Sequence, residues 1–469
     1  NSLIVNALLH RDMTRSLYDL EDRLRDAGYR WPLLVTHASG GTARVAKTVA
    51  AETLHSGPAA AVLGAWQVAK LIDAPYVIAA DMGGTSLDVA FSSAEQPPWN
   101  PRPSLDDVQL AIPMLGVESI GAGGGSIARV DGSGAVTVGP DSAGADPGPA
   151  CYAKGGQDPT VTDADLVLGY IGPGQALAGR LALDIQLAKQ AIQQRIAGPA
   201  TESIEAASLR IRDTVDREMA TAIQRGIQDR GLDPADVTLL GFGGAGPLHA
   251  AAMAALVGVK RVVAFPFGSV FSAYGSSTTN VTHLYRRTHG IPTNDQDLEQ
   301  SVDSAAQAMR ETAIVDMRGE GFTADQLEFR GMLELRSSGR AELVPFATPQ
   351  EIAPEVERTT AMFGAKAGSV ELEASWLIST AAVAHWVPGV AEQAPAHRPP
   401  ADAQRQIIWA AGQGPVATDT YQLESLKPGA IVQGPAVVDA ADTGYVVPVG
   451  WLLTIDKHGF LVMEASSDD

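Results

Sequence analysis

Asp81-Met82-Gly83-Gly84-Thr85-Ser86-Leu87-Asp88-Val89-Ala90 follows the apolar run Tyr76 to Ala80 and decides how the rest of the chain is read. A short apolar run, two glycines, two hydroxyl residues and a second apolar run predict a β-hairpin whose turn exposes backbone N–H groups. Glycine lets an anion approach with no Cβ in the way, and Thr85 and Ser86 add hydroxyl donors. Asp81, at the strand end, suits Mg²⁺, which takes one or two carboxylates together with phosphate oxygens. A plain hairpin with a Gly-Gly turn would account for the same residues. The flanking carboxylates Asp81 and Asp88 favour the anion-binding reading.

Two further glycine clusters strengthen it. Gly121-Ala122-Gly123-Gly124-Gly125-Ser126 has four glycines in five positions, which neither helix nor strand propensity explains, because each glycine loses entropy on folding. Gly241-Phe242-Gly243-Gly244-Ala245-Gly246-Pro247-Leu248-His249 joins an apolar strand, Val237 to Phe242, to a helix starting near Pro247. A helix N-terminus behind a glycine turn is suited to an anion through its dipole and free N–H groups. No Gly-Lys-Ser/Thr follows, so this is not a Walker A loop. Three such turns on one α/β framework predict a nucleotide site.

Outward from these motifs, residues 1 to about 280 alternate strands and helices. Residues 202–230 carry the strongest helical stripe (Ile204, Ala207, Ile211, Val215, Met219), and Asp12 to Ala27 reads as another helix. Beyond residue 290, Leu327 to Phe346, Ser369 to Val387 and Ile431 to Val438 look strand-like, and Pro388 to Ala401 reads as a linker. The expected division is an ATPase core over 1–290 and a mixed or β-rich C-terminal part over 291–469. The chain opens on Asn1, not Met, and enters helix almost at once, which reads as a piece lacking an upstream lobe, a trimmed end being the plainer alternative.

With 469 residues, 45% hydrophobic and 19% charged, a packed core is expected. A net charge of −20 and the absence of a basic cluster argue against nucleic acid and anionic membrane surfaces as partners. No apolar run approaches the roughly 18 residues of a membrane span. Cys151 is the single cysteine, so a reducing, cytoplasmic setting is expected.

The three glycine clusters, together with Gly139-Pro140-Asp141-Ser142-Ala143-Gly144-Ala145-Asp146-Pro147-Gly148-Pro149-Ala150-Cys151-Tyr152 and Pro159-Thr160-Val161-Thr162-Asp163-Ala164-Asp165, resemble the hydantoinase/oxoprolinase family. The resemblance runs on through Ser272-Ala273-Tyr274-Gly275 and Gly434-Pro435-Ala436 to Pro448-Val449-Gly450-Trp451, nearly the whole chain. It implies an actin- and sugar-kinase-like (ribonuclease H-like) ATPase lobe that uses ATP and Mg²⁺. It further implies a subunit that phosphorylates a cyclic amide, imide or carbonyl substrate for ring opening by a hydantoinase B-type partner. The alternatives are a subunit of an acetone or acetophenone carboxylase, or a non-catalytic structural subunit.

Asp81, Asp88 and Glu118 are the catalytic candidates, with Asp81 on the metal and Glu118 read as a general base or Mg²⁺ partner or equally as a solvated carboxylate; the resemblance makes Asp81 to Asp88 the second phosphate loop and Gly243 to Gly246 the adenosine turn. Gly83, Gly84, Thr85, Ser86, Gly123, Gly124, Gly125, Gly243, Gly244, Ala245 and Gly246 would line the nucleotide. The family's first phosphate loop is not found here, so the ATPase is expected to be incomplete as given. Leu87 stands where the family has Thr, Gly116 where it has Asp, and Ser337 and Arg340 depart from a downstream Tyr and Gln. Cys151 and His249 have packing roles as their plainer readings, and His37 a structural one, though it could touch substrate. Asp163 and Asp165 read first as a helix N-cap pair.

Overall fold

The computed structural model describes residues 2–94, 97–105, 108–110, 112–172, 176–177, 181–366, 368–391 and 395–466. The chain forms two compact units, each built from separated segments: residues 1–63, 98–116 and 275–386 in one, and 64–97, 117–274 and 387–469 in the other.

The second unit is built on an eight-stranded mixed sheet. Its strands are β1 (Tyr76–Met82), β2 (Leu87–Ser93), β3 (Glu118–Ile120), β4 (Val237–Phe242), β5 (Arg261–Ala264), β6 (Ile431–Gln433), β7 (Trp451–Ile455) and β8 (Leu461–Ala465), in the order β6-β7-β8-β5-β4-β1-β2-β3. β4 runs parallel to both β1 and β5, while β1-β2 and β2-β3 are antiparallel. β4 is buried along its whole length, as a parallel strand covered on both faces must be.

Three helices place the site: α1 (Val161–Leu168), α2 (Ile204–Asp229) and α3 (Gly246–Val257). Thr160 and Asp163 close a capping box at the start of α1. Ser203 caps α2 by accepting from the Ala206 amide at 3.1 Å, and Ala207, Ile211, Val215, Met219 and Ile223 give it the buried stripe seen in the sequence. Pro247 sits in the first turn of α3, where its missing N–H costs nothing. The core of this unit gathers Ile78, Ala80 and Met82 of β1, Leu239 of β4 and Met219 of α2.

The first unit carries a six-stranded antiparallel sheet in the order Leu34–Thr36, Thr42–Arg44, Val281–Pro292, Glu371–Ala381, Leu327–Ser337, Arg340–Phe346. Helices Leu298–Gly319 and Ile352–Met362 contribute Leu298, Val302 and Ile352 to a core with Leu333, Leu335 and Val344.

Some details differ from the expectations. Residue 290 lies inside a twelve-residue strand, Val281–Pro292, which pairs with Glu371–Ala381. The C-terminal stretch is mixed, one of the two textures expected for it, and includes the 22-residue helix Leu298–Gly319. Ile431 to Val438 is not one strand. Gly434-Pro435 breaks it, Pro435 having no N–H to donate, and the halves enter different sheets. The first helix runs from Ser2 to Asp26, longer than Asp12 to Ala27, since no breaker precedes Gly28. Leu3, Ile4 and Leu8 of that helix are exposed. The chain passes back into the second unit between Trp386 and Val387, just before the Pro/Ala-rich stretch read as a linker, of which 392–394 lie outside the described residues. Among the described residues no helix is long and apolar enough to cross a membrane.

Candidate functional site

The three glycine clusters, separated by tens of residues in the chain, meet at one end of the eight-stranded sheet. Gly83 to Ser86 form the β1–β2 turn, closed by the Gly83 amide donating to the Ser86 carbonyl at 3.0 Å. The Gly124 amide donates to the Gly83 carbonyl at 3.0 Å and the Gly125 amide to the Gly84 carbonyl at 2.6 Å. From the other side, the Ala245 amide donates to the Met82 carbonyl at 3.0 Å. Thr162 fixes the middle cluster, its hydroxyl and its amide both donating to the Gly124 carbonyl at 2.7 Å.

The closeness explains the glycines. A Cβ on Gly123 would lie 2.7 Å from the amide nitrogens of both Thr85 and Ser86. Gly243 has φ +82°, and its Cβ would lie 2.4 Å from the Asp81 Oδ1 atom and from the Met82 carbonyl oxygen. By contrast, the Cβ positions of Gly83, Gly84 and Gly244 face open space. The amides of Gly84, Thr85, Ser86 and Gly244 have no hydrogen-bond partner among the described residues, so they are free to receive an anion. Helix α3 starts at this turn with no side chain capping it.

Gly243→Ala should combine backbone strain with a clash against Asp81. We expect a loss of stability of at least about 2 kcal/mol by urea unfolding. Unchanged urea unfolding would overturn the packing account.

Asp81 and Asp88 stand directly opposite each other on β1 and β2. Neither has a basic partner among the described residues. Burial, with the charge of Asp88 added, pushes the Asp81 carboxyl up from 3.8 to about 6. Two facing carboxylates with no counter-charge, beside free amides, fit a divalent cation held by carboxylate and phosphate oxygens, so the chemistry of the donor set suits Mg²⁺. No group of three His, Cys, Asp or Glu side chains suited to a metal occurs among the described residues.

Glu118 is not brought into this group. It pairs with Val89, whose side chain alternates to the opposite face of the sheet from Asp88, and it ion-pairs there with Arg225 of α2. Cys151 is buried, and burial with the neighbouring Asp163 charge pushes its thiol far above the usual range, which leaves no thiolate to act as nucleophile or ligand. Asp163 accepts from the amides of Ala150, Cys151 and Thr160 and from the Thr160 hydroxyl, which bears out its capping role.

Asp165 does something else. It is buried with Arg212, Asp216 and His249 behind the glycine turns. His249 Nε2 meets Asp165 at 3.1 Å and Nδ1 meets Asp216 at 2.6 Å. The Arg212 guanidinium donates to Asp165 at 2.5 Å and to the Leu248 carbonyl at 2.5 Å, and lies 4.1 Å from the Tyr170 ring centre. This network ties α1, α2 and α3 together. In the sequence, Arg212 and Asp216 are masked by the apolar stripe of α2. A signal was present: each directly follows a stripe residue, Ile211 or Val215, and the two are four apart on one helix face.

The same unit has a cavity of about 820 Å³ lined by Pro266, Arg405, Leu426, Asp439 and Asp442 among others. Thr443, next in the chain to the lining residue Asp442, donates its hydroxyl to the Gly244 carbonyl at 2.9 Å. Asp442 also accepts from the Ser269 hydroxyl.

Comparison with known proteins matches residues 1–285 to the hydantoinase/oxoprolinase family and 292–466 to the hydantoinase/oxoprolinase C-terminal domain. The acetophenone carboxylase gamma subunit of Aromatoleum aromaticum is 37% identical, over 98% of this chain and 66% of its own length. The caprolactamase alpha subunit of Pseudomonas jessenii is 32% identical, over 97% and 68%. The crystal structure of the ATP-dependent caprolactamase from that organism superposes with a TM-score of 0.82 at 32% identity, covering 97% of this chain and 68% of the other. A nucleotide-free acetone carboxylase structure shares the fold, with a TM-score of 0.78 at 24% identity over 96% of this chain and 67% of the other. The chain spans about two thirds of the length of the curated relatives it matches.

Proposed function

Because the chain belongs to the hydantoinase/oxoprolinase family, we propose that it is the nucleotide-handling part of a subunit that uses ATP to activate an amide or imide carbonyl for hydrolysis. The observation that carries this reading is the meeting of three glycine turns beside the unpaired Asp81–Asp88 couple. The hairpin-plus-crossover sheet, with β4 parallel to β1 and β5, supports the actin-like lobe that the resemblance implies.

In this reading the free amides of Gly84, Thr85, Ser86 and Gly244 receive phosphate oxygens, and Thr85 adds a hydroxyl donor. Asp81 and Asp88 would hold Mg²⁺, which supplies neutralisation of phosphate charge when bound. The cavity of about 820 Å³ in the same unit takes the nucleoside. The γ-phosphoryl group passes to the substrate's carbonyl oxygen and ADP leaves, so a poor electrophile gains a good leaving group. Stabilisation of the transferring group rests on preorganised donors that need no rearrangement. Glu118, on the far face, has no part in this step. A hydantoinase B-type partner would complete ring opening.

A second reading, ketone carboxylation, is favoured by the 37% identity to the acetophenone carboxylase gamma subunit. It shares the phosphorylation step and differs in the fate of the activated carbonyl. ADP release measured with ε-caprolactam and no bicarbonate, against acetophenone with bicarbonate, separates the two. In a protein extended to the full length of the relatives and joined by its partner subunit, we expect the lactam to drive turnover, and Thr85→Ala to slow it roughly a hundredfold with thermal stability unchanged. Turnover driven only by the ketone and bicarbonate would favour the carboxylase reading, and full turnover in Thr85→Ala would remove the turn from the site.

A further inference from the structure

The turn at Gly243 to Ala245 leaves one amide open and holds the groups on either side of it. The Gly243 amide donates to the Gly268 carbonyl at 3.0 Å, and the Ala245 amide to the Met82 carbonyl at 3.0 Å. Between them the Gly244 amide has no hydrogen-bond partner among the described residues. Glycine supplies no stiffness of its own here. Gly243 sits at φ +82°, and a Cβ on Gly244 would meet nothing within 4 Å, so no side-chain contact limits how the peptide planes at Gly244 turn. Hydrogen bonds have to set the aim of the free N–H.

The bond that completes this set comes from 199 residues along the chain. Strands Ala403–Ile407, Val416–Gln422, Ala436–Asp439 and Gly444–Val447 form a four-stranded sheet in the second unit, and the last two are an antiparallel hairpin. The hairpin is anchored at its base. Tyr445 is fully buried and its hydroxyl donates to the Phe265 carbonyl at 2.7 Å. A Cβ on Gly444 would lie 3.1 Å from the Leu248 side chain, so the hairpin rests on the first turn of α3. Two consecutive residues of its turn then reach the glycine turn. Thr443, itself buried, donates its hydroxyl to the Gly244 carbonyl at 2.9 Å. Asp442 accepts from the hydroxyl of Ser269, the neighbour of the Gly268 whose carbonyl receives the Gly243 amide.

With Thr443 in place, the peptide joining Gly244 to Ala245 is held at both ends, its C=O by Thr443 and its N–H by Met82. Without that hydroxyl the plane is held at its N–H alone, and the Gly244 amide next to it loses its fixed direction. A donor that is already aimed loses less freedom when an anion arrives. We propose that Thr443 is a positioning residue for the nucleotide, keeping the free Gly244 amide aimed at a phosphate, with Asp442 bracing the adjoining turn through Ser269. This rests on the reading that a nucleotide lies at the glycine turns.

Three variants test it. Thr443→Val keeps the shape and removes the hydroxyl, and Thr443→Ser keeps the hydroxyl. Thr418→Val removes a buried hydroxyl of the same sheet that bonds only to Trp409 and the Val416 carbonyl. By calorimetry on the full-length subunit, Mg-ADP affinity should fall at least about tenfold in Thr443→Val and change by less than about threefold in the other two. Exchange of the Ala245 amide with deuterated water should quicken about tenfold in Thr443→Val alone. Should Thr443→Val not fold, Ser269→Ala, at a half-buried site, is expected to weaken Mg-ADP binding about threefold. Native affinity in Thr443→Val, or in Ser269→Ala when it stands in, overturns the positioning role and leaves the nucleotide reading in place. An equal loss in Thr418→Val does the same, since the effect would then be one of general stability. No Mg-ADP binding by the native subunit overturns the nucleotide reading and the positioning role with it.

Discussion

Asp81→Asn is expected to lower Mg-ATP turnover of the full-length subunit by at least about a hundredfold, while making the protein more stable near neutral pH. The two effects have one cause. Burial and the facing Asp88 push the Asp81 carboxyl from 3.8 up to about 6, so ionising it in the fold costs free energy that the unfolded chain does not incur. Because the folded state binds this proton more tightly, its contribution to stability falls as pH rises from about 4 to about 6 and stays low above that. A tenfold change in proton affinity is worth about 1.4 kcal/mol, so removing the charge can return at most about 3 kcal/mol. The amide of Asn keeps the shape and removes the repulsion. Urea unfolding at pH 7.5 and at pH 4.5 checks it: the variant should gain at the higher pH and show little difference at the lower. Mg²⁺ should stabilise the native protein more than the variant, since a cation relieves the same repulsion. A variant that keeps turnover, or is less stable at both pH values, would show that Asp81 is an ordinary strand residue.

Arg212→Ala should cost about 3–5 kcal/mol of stability, enough to leave much of the chain unfolded at 37 °C. The guanidinium is buried between Asp165 and Asp216 and donates to the Leu248 carbonyl at the start of α3. Removing it leaves buried carboxylates with His249 as their main counter-charge. Arg212→Lys should rescue little, because a single ammonium cannot reach carboxylate and carbonyl together. The pH dependence has a sign on each side. Burial opposes charge on His249, but Asp165 and Asp216 together outweigh it and hold the imidazolium above its usual 6.5. That part of the stability is complete below 6.5 and is lost as pH rises through the raised value. Burial likewise opposes charge on Asp165, but His249 and Arg212 outweigh it and hold the carboxyl below 3.8. Its part is present above 3.8 and is lost as pH falls through the lowered value. Thermal unfolding of Arg212→Ala within about 1 kcal/mol of the native protein would show that the network is not what braces α1, α2 and α3.

The elements nearest the glycine turns were the most legible. β1, β4, β5, α2 and α3 were each visible because their apolar period was strong and their ends were marked by glycine, proline or a capping serine. The positions of Gly83, Gly123 and Gly243 as backbone contacts were also legible in kind, since glycine clusters imply positive φ or close approach. What the pattern did not contain was which groups face which. Glu118 is a case: adjacent to the glycine cluster in sequence, it projects from the opposite side of the sheet from Asp88 because it pairs with Val89 and not with its neighbour. The Asp165–Arg212–Asp216–His249 network is another, for its members come from three helices and the linear pattern does not say that they meet.

Residue order was enough to set the α/β texture, the glycine turns, the acidic pair flanking the first of them and the likeness to the hydantoinase/oxoprolinase family. These are local properties: turn chemistry, strand and helix periods, and the succession of residues. Long-range packing was needed to bring three distant turns to one end of a sheet and to carry a strand across residue 290. Packing also set Asp81 and Asp88 against each other with no basic side chain paired to them among the described residues. Register and burial depend on partners far along the chain. A carboxylate's charge cost is set by what packs against it, and a linear pattern does not specify that.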